Sequence, residues 1–149
     1  MTALTPEQQQ AWRSLVMLSH VVEEALDRQS RAAGDIPHAY YKLLVVLYEA
    51  PRRTLGMTEL ATVLRHSPSR VTHAAKSLER SGLVVRRRSA EDRRVLLIEL
   101  TEAGADVVLA VTPGQVALVR RPALDALGPG DVVALDRIGT AIIAALSPR

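Results

Sequence analysis

Between Pro68 and Arg80 the side chains able to hydrogen-bond (Ser69, Arg70, Thr72, His73, Lys76, Ser77 and Arg80) separate at helical spacing from the apolar Val71, Ala74, Ala75 and Leu78. A helical face of this kind can offer donors and acceptors to base edges, and Arg70 has the forked donor set that fits the O6 and N7 atoms of guanine. Just downstream, Arg86, Arg87 and Arg88 alternate along a β-prone segment, so one or two of them can meet phosphate while the others are solvated. A polar turn, Ser89–Arg93, follows, and Asp92 and Arg94 read by themselves as an exposed surface ion pair.

Other chemistry lacks the residues it needs. His20, His38, His66 and His73 show no His-x-x-x-His spacing, and without a cysteine there is no thiolate, disulfide, thiol redox sensor or cysteine metal site. No glycine-rich phosphate loop, nucleophile elbow or paired carboxylates support an enzyme, and neither a metal nor a cofactor is expected. The charge is uneven. Residues 52–94 carry eleven basic and four acidic side chains, a net of +7, which leaves −4 for the remainder of a chain whose total is +3. Seventeen of the nineteen cationic residues are arginine, which suits bidentate contacts but equally reflects a GC-rich genome, so arginine bias adds little to the argument.

The elements that must position these groups are readable as a mainly α chain with a small antiparallel β-hairpin. Thr5-Pro6-Glu7 is a helix start, and a helical apolar stripe from Ala11 through Leu15 and Val22 to Leu26 predicts a first helix to about Gln29, broken by Gly34 and Asp35. A second helix is expected over Pro37–Ala50, stopped at Pro51. Arg52–Gly56 reads as a basic connector, and Thr58 as the cap of a short third helix. Ser67-Pro68 starts the fourth, with Gly82 where a left-handed cap is wanted. Two short helices joined by about three residues make a helix-turn-helix, and Leu83–Arg88 with Val95–Leu100 makes a hairpin beside it. Thr101 caps a fifth helix that Pro113 and Gly114 should kink or interrupt, and Asp131 is read as the N-cap of a last helix apolar on nearly every side.

No apolar run approaches the ~20 residues of a membrane span, and the start, Met1–Gln10, has neither the basic nor the apolar region of a signal peptide. A cytoplasmic protein with no membrane partner is expected. The apolar surplus of the two ends, Leu4, Trp12 and Leu15 at one and Leu135, Ile138, Ile142 and Leu146 at the other, exceeds what a small hairpin-bearing domain could cover, so a homodimer is expected.

In its order and spacing the chain resembles the MarR-type winged helix-turn-helix regulators of bacteria. The resemblance is firmest at Leu-Gly-Met-Thr-Glu-Leu-Ala (55–61), at Leu78-Glu79-Arg80-Ser81-Gly82-Leu83-Val84, and at Asp92-Arg93-Arg94-Val95 leading to Leu100-Thr101-Glu102-Ala103-Gly104. It implies that residues 35–112 form a DNA-reading winged helix-turn-helix and that residues 1–34 and 113–149 form a helical dimerisation region, within one continuous unit. It further implies recognition helices in successive major grooves and wings over the minor grooves. Ser67, Ser69, Arg70, Thr72, His73, Lys76, Arg86, Arg88, Arg93 and Arg94 would then touch double-stranded DNA, with Asp92 structural. Members of such a family are released by small phenolic or anionic effectors, for which Trp12, His20, His38 and Tyr41 are the candidates. The expected function is a sequence-specific regulator, a repressor on a pseudo-palindromic operator. A protein-interaction module and a sequence-indifferent architectural DNA binder are the competing readings.

Overall fold

Thr5 opens the first helix as its sequence predicts, accepting a hydrogen bond from the Gln8 amide while the Gln8 side chain accepts one from the Thr5 amide at 2.9 Å. In the computed structural model, which describes residues 3–147, this helix α1 runs Pro6–Gly34, a turn beyond the expected end. The outermost residues of the two segments read as dimerising, 1–2 and 148–149, lie outside the described residues. The break falls at Gly34 and Asp35, as the sequence predicts: Gly34 is the last helical residue and Asp35 turns left-handed at φ 49°. A Cβ at Gly34 would lie 2.6 Å from a methyl of Val111, so the glycine also permits close packing of α1 on α5.

The remaining elements are α2 (His38–Glu49), β1 (Thr54–Gly56), α3 (Met57–Leu64), α4 (Pro68–Arg80), β2 (Val84–Arg88), β3 (Leu96–Leu100), α5 (Glu102–Leu118) and α6 (Pro129–Leu146). Helix α2 is the centre of the core. Its Leu43, Leu44 and Leu47 are buried with Leu60 of α3, Val71, Ala75 and Leu78 of α4, Val84, Ile98 and Leu100 of the sheet, and Val108 and Val111 of α5.

Several expectations need correction. The connector after Pro51 contains a strand: β1 pairs antiparallel with β3, Leu55 opposite Ile98, giving a three-stranded sheet in the order β1-β3-β2 rather than a lone hairpin. A three-residue strand is too short for alternation to show in sequence. The N-cap of α3 is Gly56, not Thr58. The N-cap of α6 is Gly128, and Asp131 serves from the third position by accepting from the Gly128 amide at 3.1 Å.

Pro113 does not interrupt α5, although a proline inside a helix costs about 3 kcal/mol. Tertiary contacts offset this. Gly114 lets Gln29 of α1 approach so closely that a Cβ would fall 2.0 Å from Gln29 Nε2, which donates to Val111 O at 3.2 Å. Gln115 Nε2 lies 3.0 Å from both Leu26 O and Ser30 Oγ and 2.6 Å from Gln29 Oε1, sewing α5 to α1. The interruption comes later, at Arg121, whose φ −123° and ψ 123° are those preferred by a residue ahead of a proline. The stretch Glu102–Ala126 is long and apolar enough, by length and composition alone, to cross a membrane. Its buried face, which includes Gly104, Ala105, Val108 and Val111, is the one that packs on α1 and α2.

Gly104 makes the tightest packing junction with backbone. A Cβ there would lie 2.2 Å from the carbonyl oxygen of Leu83 and 2.6 Å from Leu100 Cδ1. Gly104→Ala is therefore expected to lower the unfolding free energy by about 2–4 kcal/mol in urea titrations. Gly130→Ala, with nothing within 4 Å of the added carbon, should change it by less than about 1 kcal/mol; equal effects would refute the packing argument.

Candidate nucleic-acid interface

Helix α4 begins at Ser67, whose hydroxyl accepts from the Arg70 amide at 3.4 Å, with Pro68 in the first helical position. It ends in a glycine turn: Gly82 takes φ 72°, its amide bonds Glu79 O at 3.0 Å and the Leu83 amide reaches Leu78 O at 3.0 Å. The helix is thus capped at both ends. Its Val71, Ala75 and Leu78 are buried, while Ser69, Arg70, His73 and Lys76 are exposed and Thr72 is half-buried. Among the described residues Arg70 and Lys76 have no ion-pair partner, so their charges remain available to a ligand.

The wing tip is built by short-range hydrogen bonds. Ser89 Oγ accepts from the amides of Glu91 and Asp92, and Val95 N donates to Asp92 O at 2.9 Å. Asp92 Oδ1 accepts from the Arg94 amide at 2.9 Å and from Arg94 Nε at 3.2 Å, while the Arg94 side chain stays 93% exposed. The aspartate aims the arginine without burying it. Arg93 is exposed beside it, and its carbonyl accepts from Arg88 Nη1 at 3.1 Å, which draws Arg88 along the wing.

Arg86 is placed differently from a free phosphate ligand. Its guanidinium is committed to Glu79, with Nε at 2.9 Å and Nη2 at 2.5 Å from Oε2. This holds the Glu79 carboxyl below the usual carboxylate range. Arg87 pairs with Glu99 at 3.0 Å, and Arg53 with Glu102 at 3.1 Å while stacking over the Tyr48 ring. Sequence reading missed these pairings because the partners are far apart along the chain or on different elements.

The four effector candidates do not come together in one chain. Trp12 and His20 are exposed on the first half of α1. His38 and Tyr41 are buried on α2, their rings stacked at 5.9 Å, with Tyr41 Oη 2.9 Å from Thr112 Oγ1. A cleft of about 590 Å³ lies elsewhere, between α2 and α4, lined by Glu23, Tyr40, Lys42, His66, Arg70 and His73 among others. Its lining comes from four helices and a turn, so no local spacing announces it. No cluster of histidine and carboxylate suited to a metal occurs among the described residues.

The dimer candidates are unpartnered. Leu4, Trp12, Leu135, Ile138 and Leu146 are exposed, Leu15 and Ile142 are half-buried, and no residue of α6 is buried.

A sequence model described as the MarR family matches residues 35–95. The crystal structure of Sco3205, a MarR family transcriptional regulator from Streptomyces coelicolor in complex with DNA, is 38% identical, with a TM-score of 0.95 over 99% of this chain and 93% of that one. AbsC, a MarR family transcriptional regulator from the same organism, is 32% identical, with a TM-score of 0.92 over 98% of both chains. The transcriptional repressor MprA of Escherichia coli (strain K12) is 30% identical over 98 residues, 64% of this chain; the matched segment spans only 56% of MprA.

Burial pushes His38 below its ordinary value, with Lys42 acting in the same direction and Glu23 and Asp27 opposing. The unfolded chain therefore takes up this proton first. The stability contributed by a neutral His38 is complete above about pH 6.5 and is lost as pH falls from there toward the lowered folded value. Urea midpoints should decline from pH 7.5 to 5.5 more steeply in the parent than in His38→Gln, and identical slopes would remove His38 from the account.

Proposed function

The chain belongs to the MarR family of transcriptional regulators, a family of regulators rather than enzymes, and from that premise we propose that it is a sequence-specific DNA-binding repressor acting as a homodimer in the bacterial cytoplasm. The observation that carries this reading is the pairing of two exposed, preorganised cationic features. One is the α4 face with Arg70, His73 and Lys76; the other is Arg94, held outward by Asp92.

A helix about 10–12 Å across, side chains included, fits the major groove of B-DNA, which is ~12 Å wide. With α4 seated there, Ser69, Arg70, Thr72, His73 and Lys76 are the side chains assigned to base edges and Ser67 to a phosphate near the helix start. The wing then reaches the adjacent minor groove through Arg94, where the narrow groove's negative potential favours an unpaired guanidinium edge, with Arg93 and Arg88 on the flanking backbone. Residues 35–112 form the reading unit in this proposal, and residues 1–34 and 113–149 the pairing unit.

Pairing is supported by the exposed apolar surface of α1 and α6: α6 buries no residue in its own chain. A two-fold mate covering α6 and the first half of α1 would remove this surface from water and place two α4 helices against half-sites one turn, about 10 base pairs, apart. It would also cover Trp12 and His20, so an aromatic site built from them would be completed by the second copy. For release by a small aromatic or anionic molecule, the cleft beside Arg70 is the better-supported location. A ligand there competes with DNA for Arg70, and shifts binding only by as much as it prefers the unbound protein.

Sedimentation at micromolar concentration should give a dimer, and Ile138→Asp a monomer; a monomeric parent would sink the pairing. Selection from random duplexes at near-physiological salt should recover an inverted repeat, on which Arg94→Ala binds roughly tenfold more weakly while remaining dimeric. Recovery of no preferred sequence, with a steep salt dependence, would transfer the reading to an architectural binder. No DNA affinity at all would favour a protein-interaction module.

A further inference from the structure

Arg86 and Glu79 form the most enclosed ion pair among the described residues, with side chains 20% and 35% exposed. Glu79 lies in the last turn of α4, and Arg86 is the third residue of β2, opposite the fully buried Ile98 of β3. The carboxylate accepts three hydrogen bonds from this one residue: Oε1 from the Arg86 amide at 3.2 Å, and Oε2 from both Nε and Nη2. Backbone and side chain of the strand are thereby tied to the same helical turn.

The chain between α4 and β2 is only residues 81–83, and it contains Gly82 at φ 72° with nothing within 4 Å of where a Cβ would be. Hydrogen bonds from Thr101 to Gly82 O and Leu83 O pin this turn and the base of β2, but they hold the strand at one end, and its angle to α4 is fixed by a second point of attachment. The consequence of tilting is large, because a strand rises about 3.3 Å per residue: a 10° rotation at the base moves a tip about 15 Å away through roughly 3 Å. That displacement is as long as a hydrogen bond.

We propose that Glu79–Arg86 is a positioning brace that fixes the wing's angle to α4, so that Arg94 and the α4 face reach adjacent grooves together. The inference rests on the DNA-binding reading. Neither residue of the brace touches DNA; both act through Arg94.

The test uses the full-length protein and the duplex selected by it. Glu79→Gln should bind about fivefold to tenfold more weakly, as should Arg86→Lys, which keeps the charge but loses the fork. In the Arg94→Ala background, Glu79→Gln should add less than about a further twofold, because the contact it positions is already gone. Arg86→Gln should leave the slope of log affinity against log salt unchanged, whereas loss of a phosphate contact would reduce it by about 0.9. Thermal unfolding of each variant identifies any that fails to fold, and where Glu79→Gln fails, the affinity of Arg86→Lys and the salt slope of Arg86→Gln decide the matter. Fully additive losses, unchanged affinity in Arg86→Lys, or a reduced slope in Arg86→Gln would overturn the brace. A parent protein that binds no duplex would overturn the DNA-binding reading, and the brace with it.

Discussion

Everything that could face DNA hangs from one junction, where the turn after α4 meets the start of α5. The turn exposes two carbonyls, of Gly82 and Leu83, and Thr101 satisfies both, its hydroxyl donating to Gly82 O at 2.8 Å and its amide to Leu83 O at 3.1 Å. The same hydroxyl accepts from the Gly104 amide at 3.0 Å, so one side chain caps α5 and anchors the end of α4. Gly104 completes the joint by having no Cβ to strike Leu83 O. Because α5 is also sewn to α1 through Gln115, Gln29 and Ser30, the orientation of α4 is linked by short, satisfied hydrogen bonds to the helices that present the unpartnered apolar surface. A change at that surface can reach α4 through this joint, through the α2 core, or through the end of α6, where Ser147 Oγ accepts from Arg65 Nη1 at 2.6 Å in the turn that precedes α4.

The buried polar cluster between α1, α2 and α5 is consistent with such a role. Ser30, His38 and Gln115 are buried among leucines and valines, where an unpaired polar atom would cost several kcal/mol, yet no buried side-chain nitrogen or oxygen among the described residues lacks a partner. An apolar contact tolerates sliding, whereas these donors and acceptors are matched in only one register of α1 on α5. The same register explains why Pro113 is accommodated: the helix is held from outside on both sides of the missing amide.

Local chemistry was legible in the sequence and tertiary chemistry was not. The caps at Thr5, Ser67 and Thr101, the left-handed Gly82 and the Asp92–Arg94 turn are all decided by residues within four positions of one another, and each stands as its spacing predicts. The errors share a cause. Helix α1 runs a turn past Gln29 because Gln29 and Ser30 are held by Gln115, α5 continues through Pro113 because Gln29 and Gln115 tie it to α1, and β1 exists because β3 lies beside it. The pairing of Arg86 with Glu79 and of Arg87 with Glu99 is likewise set between elements. In each case the deciding partner lies too far along the chain, or on too irregular a path, for any periodicity to reveal it.

The same point changes how the charge should be read. The +7 of residues 52–94 already includes Glu79 against Arg86 and Asp92 against Arg94, but Glu99 and Glu102 lie just outside that window and are folded back onto Arg87 and Arg53. Counting them, residues 52–102 carry +5. The reduction falls at the base of the sheet, while Arg70, Lys76, Arg93 and the outward edge of Arg94 keep their charge at α4 and the wing tip. With a screening length of about 8 Å at physiological salt, a phosphate backbone senses the nearby charges rather than the chain's total. A sum over sequence therefore overstates the quantity of positive charge and understates its concentration, and it is the concentration on one face that gives the surface a direction.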